Sequence, residues 1–247
     1  FLKSTCLPAP SSSFVQDFKR QVLQDKQVYE TYHQVEAKRM ELLQDQRMIE
    51  VRDFGLTTRG MYYERSVASI AGAALKSFKY ASLLFRIVQF IKPKQILELG
   101  TSLGLTTAYL AKGNPDALVH TIEGSQGTLN IAQENWKKLD IDSIVAHCGN
   151  IDEILPELLK NNEGPDMVFF DGNHRYEATI NYFEQCLANA SATTCFVFDD
   201  IHWSSGMNKA WQEIKQHPRV SLTIDLFAIG LVFFDSKEPK AHHTIYY

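Results

Sequence analysis

From Gln95 onward, short apolar runs alternate with longer amphipathic stretches, and this alternation constrains the fold more than any other feature of the chain. Short apolar runs bounded by turn residues read as strands buried on both faces, and helix-length segments between them read as crossovers. Repeated βαβ units give a mostly parallel sheet covered by helices. The spacing predicts strands at Gln95–Leu99, Leu118–Ile122, Ser143–His147, Asp166–Phe170 and Thr194–Phe198. It predicts helices near Thr106–Lys112, Gly127–Leu139, Ile151–Lys160, Tyr176–Ala190 and Gly206–Gln216. The end differs. Ser221–Phe227 and Leu231–Phe234 are joined only by Ala228-Ile229-Gly230, too short for a crossover helix, so this last pair must be antiparallel. The expectation is an α/β, Rossmann-like domain over 65–247 with a mixed sheet of about seven strands.

Residues 1–64 read as an N-terminal helical arm or cover. Between Phe14 and about Val51 there is no Gly or Pro, and Phe14, Phe18, Val22, Val28, Tyr32, Val35, Met40 and Leu43 fall at helical spacing. One long helix or two is expected, with the Ser-Ser-Ser run before it as a cap. So polar a helix needs a partner surface. It either packs along one stripe or serves as a dimerising or substrate-covering arm. Asp53–Tyr63 reads as a loop. Val67, Ile70, Ala71, Ala74, Phe78, Ala81, Leu84, Phe85, Val88 and Ile91 then line one face of a buried helix that stops before Pro93.

The 247 residues are 45% hydrophobic and 22% charged, which suits an ordinary globular core and excludes general disorder. A net charge of −4 supplies no global basic field for nucleic acid or anionic lipid, so no nucleic-acid partner is expected. No apolar run reaches the roughly 18 residues that span a bilayer; Ala81–Ile91 is interrupted by Arg86 and Gln89. Cys6, Cys148, Cys186 and Cys195 form neither a CxxC pair nor a zinc-type cluster. A reducing, cytoplasmic setting without a membrane partner is the expectation.

In an open α/β sheet, ligands bind at the carboxyl ends of the strands. The first such end is Glu98-Leu99-Gly100-Thr101-Ser102-Leu103-Gly104-Leu105-Thr106, a glycine turn that opens a helix and can bring backbone N–H groups toward an anionic ligand. The dinucleotide fingerprint wants Gly where Ser102 and Leu105 stand, so a pyrophosphate would meet side chains, and no GxxxxGK[ST] loop occurs there. The second strand ends at Glu123, about 20 residues on, where a carboxylate can accept from both ribose hydroxyls. Gly124 lets the chain turn away. The fourth strand delivers Asp171-Gly172-Asn173-His174, and the fifth Asp199-Asp200-Ile201-His202-Trp203. Carboxylates so close repel one another unless a cation or protons intervene, and hard oxygen ligands are what Mg²⁺ uses.

Glu98-x-Gly100-x-x-x-Gly104 after the first strand, Glu123 closing the second, Asp171 after the fourth and the terminal hairpin together resemble class I S-adenosylmethionine-dependent methyltransferases, over roughly Lys76–Phe234. The resemblance implies that Gly100, Thr101, Gly104 and Thr106 surround the methionine part of S-adenosyl-L-methionine, and that Glu98, Ser102, Gly124 and Asp171 also belong to the cofactor site. It implies that Glu123 holds the ribose, and that Gly149 and Asn150 lie near the adenine. The acidic strand tips are similar to those of metal-dependent O-methyltransferases of the catechol, caffeoyl-coenzyme A and macrolide-sugar types. Asp171, Asp199 and Asp200 then fall on metal positions and His174 on the base position. His174 stands where the catechol type carries Lys, and Asp200 where it carries Asn.

What the resemblance implies is a methyltransferase that acts on a small hydroxylated or sugar-like acceptor with Mg²⁺. A divalent ion chelated by acceptor oxygens lowers their pKa, and a neutral His174 can take the proton. His202 is a second candidate base, with structural support of the site as its alternative. Acidic strand tips that only cap helices or bind the cofactor amine are the plainer alternative to a metal. A non-catalytic Rossmann-like module that dimerises through the N-terminal helix is the rival from another class. His147 reads as a satisfied structural histidine, His242-His243 as a solvated end, Trp211 as core and Trp203 as a wall of an acceptor pocket. Arg59, Tyr62, Tyr63 and Arg65 are expected to cover the site, by analogy with the family.

Overall fold

A computed structural model describes residues 13–54, 60–161, 164–234 and 239–247. The Ser11 and Ser12 part of the expected cap, Cys6 and Arg59 lie outside them. The central sheet has the order β10-β8-β9-β7-β6-β3-β4-β5. Its strands are β3 (Gln95–Leu99), β4 (Leu118–Glu123), β5 (Ile144–Cys148), β6 (Met167–Phe170), β7 (Cys195–Asp199), β8 (Leu222–Asp225), β9 (Ile229–Phe233) and β10 (Ala241–Thr244). Strands β3 to β7 pair in parallel, and β9 inserts antiparallel between β7 and β8. Five helices cross between or follow the parallel strands: α5 (Leu105–Gly113), α6 (Gln126–Lys138), α7 (Ile151–Asn161), α8 (Tyr176–Leu187) and α9 (Ser205–Gln216). The fold class expected from the alternation is therefore observed.

One strand of the central sheet was not expected. His242 and His243 lie in β10, which pairs in parallel with β8, and His242 Nδ1 is 2.8 Å from Thr223 Oγ1. This segment is an edge strand rather than a solvated tail, which makes eight strands in the sheet among the described residues.

The N-terminal region departs more. α1 (Ser13–Phe18) runs into a π-helical turn (Lys19–Leu23), and α2 spans Glu30–Gln44. Met48–Asp53 (β1) and Met61–Ser66 (β2) then form an antiparallel hairpin. Helical spacing misread Met48–Val51 because an amphipathic pattern this short fits either period, and the expected loop over Asp53–Tyr63 is partly strand. The buried helix is also two. α3 (Val67–Ala74) is capped by the Ser66 side chain, which accepts from Ser69 N, and α4 (Phe78–Ile91) begins after a break at Leu75-Lys76-Ser77. Lys92 in the left-handed conformation ends α4 before Pro93.

The sheet packs on both faces. One face carries Phe18, Val22, Tyr32, Val35 and Leu42 of the N-terminal helices together with α4, α5 and α6. The other carries Tyr182, Phe183 and Trp211 over Phe170, Phe196 and Phe198. The hairpin is pinned where Gly127, at the start of α6, meets Glu50: a Cβ there would lie 2.2 Å from the Glu50 carbonyl oxygen. No helix among the described residues is long and apolar enough to cross a membrane.

The glycine turn is braced from α6. Trp136 is buried and its Nε1 donates to the Gly104 carbonyl at 2.8 Å. Trp136→Ala is expected to cost about 3–5 kcal/mol through the cavity it leaves, read as the shift in denaturant unfolding. A loss of only a few tenths would show that the turn is not held this way.

Candidate active site

The strand order reverses between β3 and β6, and the crevice opens at their carboxyl ends. Gly100 has φ +103, and a Cβ on it would lie 2.4 Å from the Asp171 carbonyl oxygen. Only glycine permits this approach, which sets the β6 tip beside the turn. Gly104 has φ +75, and its Cβ would strike the Trp136 ring. Both glycines thus serve backbone conformation and packing. The N–H groups of the turn are largely engaged within the protein: Gly100 N donates to Ile122 O, and Ser102 N to Glu123 Oε2 at 2.8 Å. Ser102, Asn173 and Asp200 each adopt a left-handed φ near +50, so three strand tips at the crevice hold strained backbone.

Two carboxylates stand behind the turn. Glu123 ends β4 and takes a second N–H from Ser125 through Oε1. Burial pushes its pKa up to about 7, offset in part by the backbone N–H donors of Ser125, Ser102, Thr101 and Gly124. Glu98 is fully buried. Its Oε2 accepts from Thr107 Oγ1 at 2.5 Å and Thr121 Oγ1 at 2.7 Å, and Thr101 donates to Thr121 in turn. Glu98 Oε1 has no hydrogen-bond partner among the described residues.

A cavity of about 290 Å³ runs from the hairpin to the strand tips, lined by Phe54, Tyr63 and Arg65 on one side and Ser102, Glu123 and Asn150 on the other. Phe54 closes against Gly124, where a Cβ would lie 2.8 Å from its ring. Tyr62 stacks instead against Arg52. Asn150 caps α7, its Oδ1 accepting from Asp152 N. A second cavity of about 560 Å³ shares Gly100, Ser102 and Glu123 with the first and reaches Thr106, Asp171, His174, Asp199, Asp200 and Trp203. Trp203 is 76% exposed at its rim, whereas Trp211 is core.

The residues fit an adenosine-bearing, amine-bearing ligand. The first cavity offers the paired acceptors of Glu123 beside side-chain-free wall at Gly124 and Gly149, and the second, which shares Glu123, offers the Asp171 carboxylate.

The acidic tips contain a residue that the sequence reading missed. Lys76, in the break between α3 and α4, is ion-paired through Nζ with Asp199 Oδ2 and stands 3.7 Å from Asp171 Oδ2. Burial works against its charge, but the Asp171 and Asp199 carboxylates outweigh it and hold the ammonium above its usual pKa. Burial raises the Asp171 carboxyl well above the carboxylate range, Lys76 opposes this, and Asp199 adds to it. Asp200 is raised by burial and by Asp199, with His174 and Lys76 opposing. The signal that could have found Lys76 is Ser77, a good N-cap residue inside what reads as one continuous helix.

Ligand atoms of Asp171, His174 and Asp199 lie within 4.8 Å of one another, close enough to share one ion. His174 Nε2 is 3.7 Å from Asp171 Oδ1. Asp200 is not part of that convergent group. The fit to Mg²⁺ is poor on two counts: one of the three donors is nitrogen, which a hard ion does not favour, and the ammonium of Lys76 already sits at the two carboxylates. His202 lies elsewhere, its Nε2 2.9 Å from Asp225 Oδ2, which also accepts from Trp211 Nε1. His147 pairs with His120 at 3.1 Å, and burial lowers the pKa of both.

Residues 97–201 match the family model described as a methyltransferase domain. A catechol O-methyltransferase of Niastella koreensis is 30% identical over 118 residues, which are 47% of this chain; the chain spans about half (52%) of the length of that curated relative. Among solved structures, an O-methyltransferase from Bacillus cereus in complex with SAH is 21% identical with a TM-score of 0.61, covering 89% of this chain and 96% of that one. The SAH-bound Podospora anserina methyltransferase PaMTH1 is 17% identical with a TM-score of 0.64, covering 94% and 99%. The fold is the α/β methyltransferase fold, and the resemblance drawn from the sequence to S-adenosylmethionine-dependent O-methyltransferases of the catechol and caffeoyl-coenzyme A type is borne out.

Glu98 supplies a test of the buried charge. Burial pushes its pKa up to about 7 from 4.5, more than the hydrogen bonds from Thr107 and Thr121 restore. Between those values the folded chain holds a proton that the unfolded chain releases, so stability falls as pH rises through that window. Glu98→Gln removes the titration and is expected to gain up to about 3 kcal/mol relative to wild type between about pH 5 and pH 8. Denaturant midpoints at several pH values measure it; a pH-independent difference would mean that Glu98 does not titrate there.

Proposed function

We propose that this chain is an S-adenosylmethionine-dependent O-methyltransferase acting on a small hydroxylated or sugar-like acceptor. The observation that carries the reading is a pair of adjoining cavities that share Glu123 and the glycine turn, with Asn150 and the hairpin lining the first and the Asp171, His174 and Asp199 side chains lining the second. The bound cofactor supplies an electrophilic methyl group on a sulfonium. Glu123 would accept from the ribose hydroxyls, with Asn150 near the adenine and Thr106 and Asp171 toward the methionine part. Phe54, Tyr63 and Arg65 would cover the cofactor and exclude water.

Transfer needs in-line approach of the acceptor oxygen and removal of its proton. His174 is part-exposed in the acceptor cavity and would take that proton at Nε2, while Asp171 beside it would stabilise the imidazolium that forms. Trp203 would wall the acceptor. His202, held by Asp225, would support the loop after β7 rather than act as a base. The Mg²⁺ expected from the sequence would need the place held by Lys76. A homodimer through α2 belongs to the same reading, supported by the exposed Met40 and Leu43. So does a cytoplasmic setting, supported by free thiols at Cys148, Cys186 and Cys195.

Calorimetric titration of S-adenosylmethionine tests the cofactor half. Binding in the micromolar range is expected, weakened at least about tenfold in Glu123→Ala, where charge-assisted hydrogen bonds are lost; no binding to the wild type overturns the reading. For the base, His174→Ala is expected to lower kcat with a catechol-like diol by about 10²–10⁴ while leaving cofactor affinity unchanged. Unaltered kcat would remove His174 from the role.

A further inference from the structure

The acidic strand tips already hold a cation of the chain's own. Lys76 contacts the two carboxylates, Asp171 and Asp199, that belong to the convergent group with His174. Its side chain is only 11% exposed and that of Asp199 5%, so this is not a surface pair exchanging freely with water. The backbone delivers it there: the break at Leu75-Lys76-Ser77 ends α3 and starts α4 directly over the tips of β6 and β7. The ammonium also lies 5.7 Å from the centre of the Phe169 ring, a second attraction for a cation at this spot.

We propose that Lys76 replaces the divalent ion in this site, bridging Asp171 and Asp199 and leaving an N–H for the acceptor oxygen in the adjoining cavity. The inference deepens the methyltransferase reading of the same site and rests on it for the identity of the acceptor. The ammonium already stands at both carboxyl groups, so at most one negative unit is left at the bridge for a second cation, and a divalent ion placed beside the ammonium would feel the Lys76 charge at short range with little water to screen it. Ammonium and ion therefore exclude each other. The ammonium has three N–H donors. Asp199 takes one, and Lys76 lines the same cavity as His174 and Trp203, so a remaining donor can meet an acceptor oxygen while His174 takes its proton. Lys76 is thus a positioning residue that fixes the oxygen and steadies the charge it develops.

The test is metal binding, read apart from catalysis. Mn²⁺ titrations followed by electron paramagnetic resonance, and Mg²⁺ titrations by calorimetry, are run on the full chain as wild type, Lys76→Met, Lys76→Gln and Lys76→Arg. Wild type and Lys76→Arg are expected to bind neither ion below ~1 mM, and Lys76→Met or Lys76→Gln to bind Mn²⁺ at least about tenfold more tightly. The gained binding should vanish when Asp171→Asn is added. Wild-type binding of either ion that is lost in Asp171→Asn and unimproved by Lys76→Met or Lys76→Gln overturns the proposal, as does failure of both folded variants to gain any. S-adenosylmethionine titrated into the same samples separates the two ideas, since loss of cofactor binding in the wild type would sink the methyltransferase reading and leave the metal result standing.

Discussion

Where β3 ends beside β6 there is room for backbone alone. A single methyl on Gly100 would press to 2.4 Å from the Asp171 carbonyl, and everything built at the crevice follows from that contact. It fixes the height of the Asp171 tip relative to the glycine turn. It also lets the turn fold back so that Ser102 N reaches Glu123 across β4. The same turn is gripped from behind by Trp136 on Gly104. The glycines thus work chiefly by letting protein approach protein, and the cavity walls are a by-product of that closeness.

Charge is the second constraint. Glu98, Glu123, Asp171 and Asp199 are all buried or nearly so at the ends of neighbouring strands, and in such a place a carboxylate must take up protons, hydrogen bonds or a cation. Three solutions appear side by side. Glu123 is met by backbone N–H groups, Glu98 by two threonine hydroxyls, and the pair at Asp171 and Asp199 by the ammonium of Lys76. Each solution comes from a different element, so the site is assembled from the glycine turn, α5, β4 and the α3–α4 break together.

The N-terminal region completes the enclosure. The β1–β2 hairpin lies against α6 through Glu50 and Gly127, and its end brings Phe54 over Gly124. Tyr63 and Arg65 of β2 face the first cavity. A pocket wall is thus drawn from residues that precede the whole sheet in sequence, the arrangement expected of specificity-bearing segments on a rigid scaffold.

The sequence by itself determined the central architecture, because buried parallel strands and their crossovers impose local periods that survive without knowledge of neighbours: β3 to β7 and their helices fall within a residue or a few of the expected bounds. It also determined which residues stand at the strand tips of the crevice, since Gly100 and Asp171 follow β3 and β6, and Glu123 and Asp199 end β4 and β7. Only the tertiary structure decided the rest. Met48–Asp53 became a strand because Met61–Ser66 pairs with it, and His242-His243 because the edge of β8 was open; neither partner is visible in a local window. His202 is held by Asp225, 23 residues away, another contact that no local window shows. Above all, Lys76 joined Asp199 across 123 residues, a meeting that no spacing rule encodes, because it depends on where a break in a helix falls over the ends of two distant strands.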